Sequence, residues 1–319
     1  MYFFKKIAGA VLLAFPLLTA VVPVSAQSSA PQSLRWVVPY PAAGGADFLA
    51  RSLAGALSDT LGIAVQVDNL PGQALAPASA LTQDNAATMV LLDNGRWSIA
   101  PLMGIAATEH LNDSFKPVTL IGRMPLILVV NPDSPFTTTQ ELVQAMKAKP
   151  GTFRFGSAGP GTPHHAAMEL FNRAAGIEGK HIPSQGASPA LINLLSGQTD
   201  ALMIDPAAAA GMIRAGKVRP LAVANESRLS HLPDLPTLSE QGYPDVKAAA
   251  LTGVVASVQM SDATVSSLNK TLTHLLEQPE IKRQLQAFGV EPMPGTPDQF
   301  LEAFKTDHAY WEALIKKEP

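Results

Sequence analysis

Short apolar strands alternate with amphipathic helices along most of this chain, and no other feature constrains its fold as strongly. Residues 34–38 form a predicted strand that runs into the Pro/Gly-rich segment 39–47, and leucines at every fourth position then mark a helix over 48–61. Further strands are predicted at 64–67 and 88–92. Because this order of strand, loop, helix and strand is typical of βαβ units, the sequence predicts an α/β fold with mostly parallel sheets.

A second unit of the same kind follows Asn131-Pro132. Its predicted strands include 153–156 and 201–204, and its helices start near Thr138 and His164. An apolar strand at 251–258 then returns the chain to the first unit. The C-terminal helices are expected at 262–277, 279–288 and 297–317.

The chain therefore passes between the two units twice, near Val130 and near Leu251. We expect a discontinuous first lobe, 27–129 and 254–319, with a second lobe, 130–253, inserted into it. Two crossing segments make a hinge, near Val130 and Gly253, and leave a cleft between the lobes. Clefts between domains are where small ligands tend to bind.

The N-terminal residues carry an export signal. Lys5 and Lys6 precede an apolar run over 7–24, and Val24-Ser25-Ala26 is a small-x-small cleavage site. This pattern predicts a secretory signal peptide over 1–26, with a mature N-terminus at Gln27. The alternative is a membrane anchor, but the prolines within the run and the polar residues behind it favour cleavage. No later stretch approaches 18 uncharged apolar residues, so no membrane span is expected in the mature chain.

Charge and cysteine content exclude several function classes. The net charge of -3 and pI of about 6.2 argue against a nucleic-acid binder, which usually presents a basic face. The absence of cysteine excludes disulfide scaffolds, thiolate metal sites and thiol catalysis. A cysteine-free exported protein fits the bacterial periplasm.

Two glycine-rich loops are the candidates for a ligand site. The first covers Pro39 to Asp47 and the second covers Ser157 to His164. Each follows a predicted strand and opens a helix, which exposes main-chain N–H groups at the positive end of a helix dipole. Neither Pro39–Asp47 nor Ser157–Pro163 contains Lys or Arg. Taken singly, each loop could be an ordinary βα turn. Together with the cleft and the export signal, they favour a carboxylate held from two sides.

Polar side chains near the loops leave alternatives open. Asp47 could contact a ligand amine or hydroxyl, or it could cap its helix and pair with Arg51. His164 and His165 are adjacent and cannot share a helix face, so we expect no chelating pair and no metal site. Asp205, at a strand end, could reach the cleft or cap the next helix.

An exported serine hydrolase is the alternative function. Phe155-Gly156-Ser157-Ala158-Gly159 nearly matches the G-x-S-x-G nucleophile elbow, except that Phe stands in place of the first Gly. The sequence alone leaves open a catalytic triad of Ser157, His164 or His165, and Asp205. The chain has no Walker motif, H-E-x-x-H motif or complete dinucleotide loop. We therefore expect a binding protein without catalysis or cofactor.

Several ordered blocks resemble the Bug/TctC family of periplasmic solute-binding proteins of tripartite tricarboxylate transporters, over nearly the whole mature chain. Residues 37–51 are similar to the family's V-P-[FY]-P-P-G-G-x-x-D-x-x-A-R, and 156–164 to its S-x-G-x-G-[ST]-x-x-H. The turn 69–72 resembles N-x-P-G. Other matching blocks are 115–132, 194–200 and 232–237.

The resemblance implies a type II, Venus-flytrap periplasmic-binding-protein fold that closes on a small carboxylated molecule. It further implies that the protein hands its ligand to a membrane permease of a tripartite tricarboxylate-type transporter, with a sensor protein as another partner. We expect a periplasmic monomer whose loops grip a carboxylate largely through main-chain amides and ordered water. The expected ligand contacts are Tyr40, Ala43, Gly44, Gly45, Asp47, Gly72, Asn94, Ser157, Ala158, Gly159, Gly161, Thr162, His164, Gln185 and Asp205.

The departures from the family pattern fall on loops that face the cleft. Gln73-Ala74-Leu75 replaces the usual residues after Pro71-Gly72, and Ser184-Gln185 replaces the Tyr-Lys of a P-Y-K-G block. The first loop has Ala42-Ala43 where Pro-Gly is frequent. These differences concern the ligand more than the fold, and they leave open whether the role is uptake or sensing.

Overall fold

The strands of the described part of the chain form two sheets, one of six strands and one of five. A computed structural model describes residues 32–83, 85–105, 113 and 115–316. The predicted signal peptide and its cleavage site lie outside the described residues. We use lobe I for the six-stranded sheet with the helices packed on it, and lobe II for the five-stranded sheet with its helices.

Lobe I is built from two segments of the chain. Its sheet has the order β11-β4-β10-β3-β1-β2. The strands are β1 (Ser33–Val38), β2 (Ala64–Asn69), β3 (Thr88–Asp93), β4 (Phe115–Pro125), β10 (Ala249–Ser257) and β11 (Glu291–Pro292). Its helices are α1 (Gly45–Leu61), α2 (Ala78–Thr82), α3 (Ala100–Leu102), α8 (Asp262–Glu277), α9 (Pro279–Gln286) and α10 (Pro297–Ile315), and a π-helical turn, Gly95–Ile99, leads into α3.

Lobe II lies between these two segments. Its sheet has the order β7-β6-β8-β5-β9. The strands are β5 (Ile127–Val130), β6 (Phe153–Ser157), β7 (Gly179–Pro183), β8 (Ala201–Ile204) and β9 (Arg219–Val223). Its helices are α4 (Thr139–Ala148), α5 (Pro163–Ala175), α6 (Ala187–Leu195) and α7 (Pro206–Arg214). The predicted two-lobed α/β fold is confirmed.

The sheets are mixed, whereas the sequence predicts mostly parallel ones. β1 pairs in parallel with β2 and β3, and β6 pairs in parallel with β7 and β8. β10 and β5 instead pair with their neighbours in antiparallel fashion. The reason is that β4 continues through Leu126 into β5, and the chain returns after Val223 into β10, so these strands enter their sheets from the other lobe.

The points where the chain changes sheet differ from the predicted hinge residues. Residues 127–129 pair within lobe II, and Gly253 lies inside β10 in lobe I, where a Cβ would be 2.1 Å from the Phe300 ring. The chain changes sheet at Leu126 and in the segment 224–248. The predicted lobe boundaries remain predictions.

Helix boundaries follow the chemistry of the sequence. Gly62 ends α1 in the left-handed conformation, at φ 66°. Thr138 and Glu141 form the predicted capping box of α4. Pro279 and Pro297 begin α9 and α10, as expected for a residue without an N–H.

The C-terminal helix joins the cores of both lobes. Phe300 and Phe304 of α10 pack in a lobe I cluster with Val37 and Leu92. Trp311, about two turns further along the same helix, packs in the lobe II cluster. Burying a large apolar side chain contributes about 1.5–3 kcal/mol, so this helix stabilises the arrangement of the two lobes. Within the described part of the chain, no helix is both long and apolar enough to cross a membrane.

Candidate functional site

The two glycine-rich loops lie at the carboxyl ends of strands in different lobes. The first loop, 39–44, joins β1 to α1, and the second loop, 158–162, joins β6 to α5. Residues of both loops line one cavity, so the loops face each other between the lobes. The carboxyl ends of strands are where ligands bind in open α/β sheets.

The larger space between the loops, here called the outer cavity, has a volume of about 210 Å³. None of its lining residues carries a charge at neutral pH. It holds six of the predicted site residues, from both lobes. Its lining residues are Pro39, Tyr40, Gly72, Ala74, Leu75, Ala158, Gly159, Pro160, Thr162, Ser184, Gln185 and Gly186.

A smaller space, here called the inner cavity, shares Tyr40 and Ala158 with the outer one. Its volume of about 20 Å³ takes one group of the size of a water molecule. It is lined by Tyr40, Pro41, Gly44, Gly45, Ala46, Asp93, Met124, Ala158, His164, Ala187, Asp205, Ala250 and Thr252. Six of these are predicted site residues, whereas Asp93 is a polar one that the sequence analysis missed.

The half-buried Tyr40 and the buried Asp93 form a pair on the lobe I side of the inner cavity. The Tyr40 hydroxyl donates to Asp93 Oδ2 over 2.8 Å, and the Gly95 N–H donates to Asp93 Oδ1 over 2.9 Å. Burial raises the pKa of Asp93, although the Tyr40 hydrogen bond and the charge of His164 act in the opposite direction. Burial, followed by the Asp93 charge, holds the pKa of Tyr40 well above its ordinary value. Tyr40 therefore remains a neutral donor.

His164 and Asp205 form a second buried pair, on the lobe II side. His164 Nε2 lies 2.9 Å from Asp205 Oδ2, and the two residues are only 5% and 3% exposed. Burial by itself lowers the pKa of His164, but the charge and hydrogen bond of Asp205, with a contribution from Asp93, raise it above the ordinary value. The pair therefore favours imidazolium and carboxylate. Asp205 Oδ1 and His164 Nδ1 have no hydrogen-bond partner among the described residues.

The first loop is held by Asp47 and leaves several main-chain donors free. Asp47 Oδ2 accepts from the Ala43 N–H over 2.9 Å, and Asp47 Oδ1 pairs with Arg51 Nε at 2.8 Å. The pairing with Arg51 is as predicted, whereas Asp47 holds the loop before α1 and makes no cap hydrogen bond to the helix. Ala43 adopts φ 61°, a left-handed conformation that is unfavourable for a residue with a Cβ. The N–H groups of Gly44, Gly45 and Ala46 have no acceptor among the described residues.

The second loop uses its main-chain donors internally. The Gly159 N–H donates to Ser157 Oγ over 3.1 Å, and the Gly161 N–H donates to His165 Nδ1 over 3.3 Å. The hydroxyl of Thr162 donates to Gly159 O and caps α5 by accepting from the His165 N–H. Gly159 and Gly161 have φ 133° and 73°, which explains their residue type.

The triad of the hydrolase alternative is not assembled. Ser157 is fully buried, and its hydroxyl lies 2.7 Å from His181 Nε2, not against His164 or His165. His164 is paired with Asp205, and His165 stacks on His181 with ring centroids 3.9 Å apart. The serine is thus part of a packed histidine cluster beneath the second loop.

The remaining predicted residues lie in two places. Gln185 and Gly72 approach each other across the outer cavity, where a Cβ on Gly72 would be 3.8 Å from Gln185 Oε1. Asn94 is buried and lines neither cavity. Its amide donates to Ala249 O and Asp307 Oδ1 and accepts from the Leu251 N–H, so it holds β10 and α10 together.

The lobes touch at glycine positions around the cavities. A Cβ on Gly186 would lie 2.3 Å from Pro41 Cδ, and one on Gly45 would lie 2.9 Å from the Asp205 carboxyl carbon. A Cβ on Gly161 would lie 2.6 Å from the Ala100 Cβ. Each contact joins lobe I to lobe II. The lobes therefore lie closer together than a residue with a side chain at any of these three positions would allow.

Comparisons with known proteins agree on one family. A family model described as tripartite tricarboxylate transporter family receptor matches residues 49–319. Protein BugT of Bordetella pertussis is 30% identical over 302 residues, which is 92% of this chain and 92% of BugT.

Solved structures agree with this match. Rpa4515 of R. palustris with adipate has a TM-score of 0.85 and 28% identity, covering 90% of this chain and 97% of that one. The periplasmic binding protein BugD has a TM-score of 0.81 and 27% identity, covering 89% and 97%. MatC from Rhodopseudomonas palustris with bound malate has a TM-score of 0.81 and 25% identity, covering 89% and 99%.

Proposed function

The chain belongs to the tripartite tricarboxylate transporter receptor family, and from that membership we propose that it captures a small carboxylated organic acid between its lobes for such a transporter. Proteins of this family and its structural neighbours bind solutes and are not enzymes. Two neighbours were solved with adipate and malate, which are both carboxylates.

The observation that carries the proposal is the pair of cavities between the two loops. Their walls come from both lobes, so a molecule held there contacts both and favours the closed arrangement. The free N–H groups of Gly44, Gly45 and Ala46 lie at the N-terminus of α1, which attracts anions without any cationic side chain.

The contacts we propose are those that line the cavities. Ala43, Asp47, Ser157 and Gly161 shape the loops, and Asn94 supports the sheet behind them. The proposed ligand contacts are Tyr40, Gly44, Gly45, Gly72, Ala158, Gly159, Thr162, His164, Gln185 and Asp205, with Asp93 added.

Export and delivery complete the proposal. We propose that the protein is exported to the periplasm, which the predicted signal peptide and the family support, and that it acts there as a monomer that docks on a membrane permease. Opening and closing are proposed to occur where the chain changes sheet, at Leu126 and in the segment 224–248. A sensor protein remains a second proposed partner.

A thermal-shift screen of mono-, di- and tricarboxylates tests the proposal. A ligand at 100 times its Kd adds about 2.7 kcal/mol to the free energy of unfolding, so a true ligand raises Tm visibly. Small-angle scattering with that ligand should show a radius of gyration no larger than without it. A screen in which adipate, malate, citrate, simple monocarboxylates and α-amino acids all leave Tm unchanged would contradict the proposal.

A further inference from the structure

The inner cavity contains a buried carboxylate oxygen that lacks a donor. Asp205 Oδ2 is bonded to His164, whereas Asp205 Oδ1 has no partner among the described residues, although Asp205 is only 3% exposed. A buried acceptor without a hydrogen bond is costly. Because Asp205 lines a cavity that lies between the two lobes, a donor on the ligand is the group that would satisfy this oxygen.

The charges around the inner cavity favour a cationic donor. Asp93 and Asp205 both line it, whereas His164 is its one basic lining residue, and no Lys or Arg lines it. Two acidic groups against one imidazole leave a site that attracts positive charge. The volume of about 20 Å³ suits one water-sized group, and an ammonium is of that size.

The carboxylate of the same ligand has a place beside this donor. Gly45, the first residue of α1, lies against Asp205: a Cβ on Gly45 would be 2.9 Å from the Asp205 carboxyl. The free N–H groups of Gly44, Gly45 and Ala46 therefore lie close to the Asp205 carboxyl group. A plain carboxylate placed there would be repelled by Asp205. A ligand with an ammonium and a carboxylate on one carbon places opposite charges against both groups.

The outer cavity then receives the rest of the ligand. Its walls have no charged side chain, so they offer no partner for a second carboxylate or a second ammonium. From these features we infer that the ligand is an α-amino acid with an uncharged side chain, its ammonium held by Asp205. This inference rests on the proposed function and narrows its substrate class. Asp205 is thereby assigned as the residue that selects for the amine.

Calorimetry with matched acids tests the inference on the unaltered protein. One set is L-norvaline, L-2-hydroxyvalerate and valerate, and a second is L-alanine, L-lactate and propionate. In each set the carbon skeleton is constant and only the group at carbon 2 changes. We expect the amino acid of at least one set to bind about tenfold more tightly than its hydroxy and unsubstituted counterparts. We also expect L-glutamine to bind about tenfold more tightly than L-glutamate.

Two variants locate the effect. In Asp205→Asn the preference for the amino acid should fall to less than threefold, whereas Asp59→Asn, on the exposed face of α1, should keep it. If Asp205→Asn does not fold, the matched acids on the unaltered chain still decide the question.

The outcomes separate this inference from the proposed function. If, in both sets, the hydroxy or the unsubstituted acid binds as tightly as its amino counterpart, the inference is overturned and the proposed function stands. The same holds if adipate or malate binds and no amino acid does. Failure of every acid to bind overturns both.

Discussion

The first and second loops share a sequence signature but use their main chains differently. Both are glycine-rich, follow a strand and open a helix. The N–H groups of Gly159 and Gly161 in the second loop already donate to side chains of their own lobe. Those of Gly44 and Gly45 in the first loop have no acceptor in the described part of the chain. Glycine therefore leaves main-chain donors available in one loop and allows a rigid, closely packed wall in the other.

In the proposed function, this difference divides the contacts with the ligand between the lobes. Lobe I supplies main-chain donors at the N-terminus of α1. Lobe II supplies a rigid loop and, behind it, the His164–Asp205 pair. A ligand that contacts both sets of groups stabilises the closed arrangement, because neither lobe alone encloses it.

The largest effect on ligand affinity is expected for Gly161→Ala, in the second loop. The new Cβ would lie 2.6 Å from the Ala100 Cβ of lobe I, so the lobes could no longer approach closely. We expect ligand affinity, measured by calorimetry, to fall by about 100-fold, which corresponds to about 2.7 kcal/mol.

Gly197→Ala is the matched control for that variant. Gly197 has φ 71° and Gly161 has φ 73°, but nothing lies within 4 Å of a Cβ on Gly197. Both variants should lose about 1–2 kcal/mol of stability from the left-handed backbone. Equal affinity in the two variants would show that closure of the lobes does not depend on the close contact of Gly161 with lobe I.

A smaller loss of ligand affinity is expected for Gly45→Ala, at the start of α1 directly after the first loop. Its Cβ would meet the Asp205 carboxyl at 2.9 Å and would cover the neighbouring N–H groups. We expect about tenfold weaker binding in calorimetry, or about 1.4 kcal/mol. Gly55→Ala in the same helix has no neighbour within 4 Å and should bind normally, with stability raised by about 0.5–1 kcal/mol. Normal binding by Gly45→Ala would remove the first loop from the anion site.

Ser157→Ala should reduce stability and leave binding nearly unchanged. It removes the acceptor of the Gly159 N–H and the contact with His181, in a fully buried setting. We expect a loss of about 1–3 kcal/mol in chemical unfolding, because a buried donor is left unsatisfied. Affinity should change less than about threefold, or about 0.65 kcal/mol. A loss above tenfold would make Ser157 a ligand contact, like the first-loop groups.

Acid should destabilise the second loop, which lies over His181, before it affects the first loop. Burial, followed by the charge of His165, lowers the pKa of His181 to about 4. In an unfolded chain a histidine has a pKa of about 6.5. A group with a lowered pKa in the folded state stabilises the fold above its unfolded pKa, and this contribution is lost as pH falls towards about 4.

His181→Gln should therefore flatten the dependence of unfolding free energy on pH across that window. The exposed His274→Gln provides the control and should leave the slope as it is. An unchanged slope in His181→Gln would mean that protonation of this histidine is not coupled to folding.

Much of the fold follows from local sequence chemistry. Proline, glycine and capping residues mark where the helices begin and end, as Thr138 with Glu141 and Gly62 illustrate. The mixed pairing of β5 and β10 is not local. It depends on which lobe a crossing strand comes from, and no period in the sequence carries that information.

The site was predictable in its loops and less so in its side chains. Asp93 was missed in favour of Asn94, although successive residues at a strand end point to opposite faces. Asp93 faces the inner cavity, whereas Asn94 bonds to β10 and α10. The strand period could have flagged this choice. The contact between Ser157 and His181 joins residues from different strands, and the linear sequence gives no sign of it.

Amide hydrogen exchange, measured by NMR with and without the acid that raises Tm most, tests the division between the loops most directly. We expect the amides of Gly159 and Gly161 to be protected before ligand is added and to change little. We expect the amides of Gly44, Gly45 and Ala46 to exchange freely without ligand and to become protected with it. New protection at Gly159 and Gly161, with none at Gly44 to Ala46, would contradict this division between the loops.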